Sequence, residues 1–160
     1  MAVELYDQGK IDESLKVLDQ AIANYPDSSL SYGNKMMILK TERKFDELSR
    51  LFDLMIRRNV NHQTAYAYKG ILYELNSRRD SAFILYKLGY EVAKELNVPE
   101  EQKEMDYISY LRMVSKASLA QIELNKVRAK YPSNPFVESF GQILDSVDIL
   151  KYKKQLVNAY

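Results

Sequence analysis

The sequence predicts an all-helical protein built as a solenoid of stacked helix pairs, and three observations lead there. Residue types return every 34 positions: Leu18, Phe52 and Tyr86; Ser14, Leu48 and Ala82; Ala21, Met55 and Gly89; Ala2, Met36 and Gly70; Leu5, Leu39 and Tyr73. Within each period the apolar residues recur at three and four positions, the spacing of one face of a helix. Gly and Pro number only five and four in 160 residues, and Gly9 and Pro26 stand at breaks in the helical pattern. A period of this length marks supersecondary units that stack because one unit cannot bury its apolar face alone.

The elements follow in order. The first repeat, about residues 1–28, holds a short helix ending near Gln8, a turn at Gly9 and a second helix over Ile11 to Asn24. Pro26 blocks its continuation, and Asp27, Ser28 and Ser29 offer caps for the next helix. The second repeat, about 29–62, has helices near Leu30–Thr41 and Phe45–Arg58, with Val60 where Pro26 stood. The third, about 63–99, places Tyr66, Gly70 and Tyr73 on a helix near Thr64–Asn76, and a second helix starts near Arg79.

Here the period lengthens. Ala82 to Ala120 and Tyr86 to Leu124 are each 38 residues apart. Four residues are one helical turn, roughly 6 Å, and the series Leu85, Leu88, Val92 and Leu96 assigns them to a longer helix. Pro99 with Glu100 and Glu101 then opens the fourth repeat, about 100–134, because proline suits the start of a helix and acids suit its positive end. Its helices span about Glu100–Ser115 and Ala117–Lys130. Ser133-Asn134-Pro135 starts a last helix running to about Val157, with Phe136, Phe140, Ile143, Val147 and Leu150 as its apolar stripe. That helix is expected to cap the open end of the stack, which brings the expected total to about nine.

Composition narrows the function classes. Net charge is +1, from 23 basic and 22 acidic residues, which gives no field selecting nucleic acid or an anionic membrane. With no cysteine, disulfides and thiolate metal sites are excluded. No apolar run reaches the length of a membrane span. By the repeat spacing, the counterpart of Tyr32 and Tyr66 would precede Met1, so the chain is expected to open inside a repeat: either its first helix is short or, the reading favoured here, a preceding segment has been trimmed. Its compartment stays open: a soluble domain, cytoplasmic, or periplasmic if a targeting segment has been removed.

No residue pattern points to catalysis, a cofactor or a metal. The single histidine, His62, lies in an expected inter-repeat loop without a second ligand nearby. Glu100 and Glu101 are neighbours on a helix and point in different directions. Arg57-Arg58 and Arg78-Arg79, with Arg43, Lys44 and Arg50, could form a basic edge, but Asp46, Glu47, Asp53 and Asp80 interrupt it. Glycine-rich phosphate loops and nucleophile motifs are missing from the sequence.

The order of types in QGKIDESLKVLDQAIANYP, Gln8 to Pro26, resembles the tetratricopeptide repeat: a small residue, a turn, then small, bulky and small residues in a second helix, then proline. The resemblance covers nearly the whole chain and implies a right-handed α-α superhelix of about four helix pairs plus the capping helix. It further implies a protein-protein interaction scaffold, whose concave groove is lined by the first helix of each repeat and binds a peptide or partner helix. Carried over onto this chain, the groove consists of Tyr6, Met37, Lys40, Tyr68, Ile71, Glu74, Met105, Ser109 and Arg112. Gly33 and Met37 stand where members that bind acidic chaperone tails carry lysine and asparagine, so that specificity is not expected here. The alternative reading is a structural module that self-associates or belongs to a larger assembly, as a homo-oligomer or beside other domains.

Overall fold

The computed structural model describes residues 1–146 and 148–158. Among them are ten α-helices and no strand: α1 (Ala2–Asp7), α2 (Ile11–Asn24), α3 (Ser29–Thr41), α4 (Phe45–Arg57), α5 (His62–Leu75), α6 (Arg79–Lys94), α7 (Glu100–Met113), α8 (Ala117–Lys130), α9 (Pro135–Ser146) and α10 (Ile149–Leu156). Each helix packs on its successor as far as α9, which also touches α7; α10 instead turns back onto α5.

The repeat is written into the backbone. Gly9, Arg43, Ser77 and Ser115 all adopt left-handed φ, at 75°, 54°, 60° and 63°. Each lies between the two helices of a pair, and the last is displaced by the same four residues as the side chains. In every case the following amide reaches back five residues: Lys10 N to Leu5 O at 2.9 Å, Lys44 N to Leu39 O at 2.9 Å, Arg78 N to Tyr73 O at 2.8 Å, and Lys116 N to Leu111 O at 2.8 Å. This closure satisfies carbonyls that the helix end would leave without partners. Ion pairs repeat as well: Lys35 meets Asp19, and 34 residues later Lys69 meets Asp53.

Packing follows the period. Ser14, Leu48, Ala82 and Ala120 are at most 1 % exposed, and Leu18, Phe52, Tyr86 and Leu124 at most 3 %. Small and large residues interdigitate: a Cβ on Gly70 would stand 2.5 Å from Cε1 of Tyr86. The core divides where the period lengthens. A larger cluster draws on α2 to α6 together with Val60, Val114 and Val157, and a smaller one on α7, α8 and α9. At the joint Tyr90 stacks on Tyr110, ring centroids 4.9 Å apart, and tilts against Tyr107 at 5.5 Å.

Three expectations need correction. The four extra residues lengthen α6 only in part: it has 16 residues against 13 in α4. The remaining one enters the link 95–99, so Leu96 lies beyond the helix. His62 is the first residue of α5 rather than a loop residue. The single capping helix over 135–157 is two helices, because Asp148 caps a new one: its Oδ1 accepts the Lys151 N–H at 2.7 Å.

The face that α9 buries also differs. Phe136, Ile143 and Leu150 are 55 %, 54 % and 50 % exposed. Val137 and Gly141 are buried instead, with Phe140 and Leu144 half-buried beside them. The series 137, 141 and 144 has the same helical spacing as the expected stripe, rotated by one residue. Gly141 leaves room for the Arg128 guanidinium to cross α9 and bond Asp145 at 3.1 Å. Val147, the fourth residue of the expected stripe, lies outside the described residues.

Candidate functional site

Four helices line a cleft of about 370 Å³. α5 supplies Gln63, Thr64, Ala67 and Tyr68, and α7 supplies Ser109, Arg112 and Met113. The far wall consists of Phe140, Ile143 and Leu144 from α9 and Ile149, Tyr152 and Leu156 from α10. Since α5 and α7 are the first helices of their pairs, this is the face on which the sequence placed the groove. The lining is mostly apolar, with a few polar groups converging on it.

The middle of α10 is anchored by Lys153, which is 2 % exposed. Its ammonium donates to Oε2 of Glu74 at 2.6 Å and to the Met113 carbonyl at 2.8 Å. The Tyr86 ring lies 5.0 Å from the same nitrogen, and the Tyr86 hydroxyl donates to the same Glu74 oxygen at 2.8 Å. A carboxylate, a carbonyl and an aromatic face thus converge on one cation, an arrangement that fits a lysine side chain.

Burial pushes the Lys153 ammonium below its ordinary pKa, against the opposing pull of Glu74. Burial also pushes the Tyr86 hydroxyl far above its ordinary value, with the Glu74 hydrogen bond and charge adding to the shift. Desolvating a charge is costly unless it is paired and hydrogen-bonded, so the three groups hold one another in place.

The expected groove residues separate into groups. Tyr68, Ser109 and Arg112 line the cleft, and Arg112 also donates to the Leu144 carbonyl at 3.3 Å. Glu74 does not line the cleft and instead holds Lys153. Lys40 lies 5.0 Å over the Tyr68 ring, and burial lowers its pKa. Burial raises the Tyr68 hydroxyl, with the nearby Tyr152 adding to the effect.

Four residues stand apart. Tyr6 donates to Oε1 of Glu42 at 3.0 Å, and Met37 is 43 % exposed on α3. Ile71 and Met105, expected in the groove, are 0 % and 3 % exposed and belong to the packed interior. A residue on the inner side of a first helix can point to the neighbouring helix as readily as to open space, and these two do. Sequence reading missed Lys153, Tyr152 and Leu156 because it placed them on an outer cap.

Three of the arginines considered for a basic edge have intramolecular partners. Arg58 donates to the Ile22 carbonyl at 3.2 Å and to the Tyr32 hydroxyl at 3.0 Å. Arg78 lies 4.1 Å over Tyr73, and Arg79 5.2 Å over Phe83. Among the described residues no group of three His, Cys, Asp or Glu side chains could hold a metal, and no helix is long and apolar enough to cross a membrane. No protein-family model matches the chain, and no curated protein matches it in sequence.

Proposed function

We propose that the helix pairs form a right-handed superhelix of the tetratricopeptide type, and that the protein is a binding scaffold without catalysis. Its α5–α7 face receives a helical segment of another protein. The observation supporting this most is the position of α10. That helix leaves the order in which the others pack and lies on the first-helix face, where a cleft remains open beside it. A surface that accommodates one amphipathic helix has the shape and polarity for helix-in-groove recognition.

A second reading, self-association, draws support from Phe136, Ile143 and Leu150, three large apolar side chains at least half exposed on the last two helices. A photoreactive residue at Ile143, which lines the cleft, separates the two, with a control at Leu30, which is 70 % exposed on α3. Binding on the proposed face predicts adducts with another protein at position 143 alone, lost on Tyr68→Glu. Adducts confined to a second copy would favour self-association. Equal adducts from both positions would defeat the proposal.

A further inference from the structure

Resting on the binding-face reading above, we infer that α10 is the resident ligand of this face and is replaced in a complex by a partner's amphipathic helix carrying the same side chains. The pattern to be matched is that of Ile149, Tyr152, Lys153, Leu156 and Val157. It has an apolar residue, an aromatic three positions on, a lysine directly after it, and apolar residues three and four positions beyond the lysine. These positions share one helix face.

Several observations point to an exchangeable occupant of that chemistry. α10 has eight residues, too short to be stable as an isolated helix, so its order depends on docking. Asp148 caps it as a separate helix. It fills the face incompletely, leaving the cleft along Ile149, Tyr152 and Leu156. The grip is concentrated at two points: Lys153 on Glu74 and Met113, and the fully buried Val157.

Lys153 is the one charged side chain classed as buried among the described residues. The pocket it enters therefore discriminates: an apolar side chain there leaves Glu74 without its cation, and an acidic one sets two carboxylates together. Tethering gives α10 a high local concentration, so an outside helix competes only for the fraction of molecules in which α10 has left. The face is in this sense self-masked.

The test uses the full chain and a fluorescent peptide of residues 148–158. Anisotropy measures its binding to the parent and to Lys153→Asp, which sets a carboxylate against Glu74 and releases α10. Hydrogen exchange follows the α5, α6 and α10 amides. The proposal expects the peptide to bind the variant about tenfold more tightly than the parent, or better, because the masking fraction is removed. It expects the peptide carrying Lys153→Asp to bind neither. In the parent, saturating peptide should accelerate exchange along 149–156 while α5 and α6 keep their protection.

That last measurement carries the test if Lys153→Asp does not fold. Unchanged α10 exchange at saturating peptide would overturn the inference, as would equal binding of the two peptides. A parent that dimerises with concentration yet rejects the peptide would place self-association on another surface and also overturn it. Ile143 adducts with another protein, in the presence of a rejected peptide, would remove this inference and leave the binding-face reading standing. Loss of both would remove both.

Discussion

Replacing Gly70 by alanine sets helix propensity against packing, and the structure decides which wins. In an open helix the change would stabilise by about 1 kcal/mol. Here the new Cβ would stand 2.5 Å from Cε1 and 2.7 Å from Cδ1 of Tyr86. The ring is 3 % exposed, its hydroxyl is bonded to Glu74, and Lys153 covers it, so it has little freedom to retreat. Overpacking of a core typically costs about 1–3 kcal/mol. Set against the propensity gain, Gly70→Ala should destabilise by about 1 kcal/mol. Urea denaturation measures this directly. In a Tyr86→Leu background the contact is relieved, and the same substitution should become neutral or stabilising by up to about 1 kcal/mol. A Gly70→Ala protein more stable than its parent, or equal effects in both backgrounds, would refute the close packing of α5 on Tyr86.

Arg43 is exposed and sits in left-handed backbone where the first repeat has Gly9. Arg43→Gly should stabilise by about 0.5–1 kcal/mol, the left-handed penalty less the extra freedom of the unfolded glycine, and Gly9→Ala should do the reverse; urea midpoints check both. Asp106 has a buried oxygen, Oδ2, without a hydrogen-bond partner, and burial raises its pKa above the ordinary 3.8. Its charged form therefore weakens the fold as pH rises through the raised value, so Asp106→Asn should raise Tm at pH 7 and lose that advantage towards pH 3.8. Tyr86 behaves oppositely in range: its raised pKa contributes stability below the ordinary value of 10.0, lost as pH climbs above it. In an alkaline titration followed by tyrosinate absorbance and circular dichroism, a late-ionising fraction of the 13 tyrosines should appear only as helicity is lost.

Much of the fold was legible because its determinants are local and recur. Gly9 marks a turn that Arg43, Ser77 and Ser115 repeat in backbone geometry, and Ala82 and Ala120 keep the register across the four-residue shift. Asp148 ahead of Ile149-Leu150 was a readable cap, obscured by an apolar spacing that seemed to run through it. The choice between the 136-140-143 and 137-141-144 stripes was not readable, because both have helical period. Ile71 and Met105 were assigned to the groove by position within the repeat, and burial by neighbouring helices leaves no mark on the sequence. Least legible was the return of α10, which depends on a bond between Lys153 and Glu74, 79 residues apart, with no local signal at either end.

The return of α10 onto α5 is the central claim, and nuclear magnetic resonance tests it most directly. The ammonium of Lys153 lies 5.0 Å from the Tyr86 ring centroid. In an isotope-labelled sample the Lys153 side-chain methylenes should be shifted by the ring current and show Overhauser contacts to the Tyr86 ring protons, which Glu74→Gln should weaken. Lys153 methylenes at random-coil shifts without such contacts, in a chain whose α5 and α6 are folded, would contradict the account.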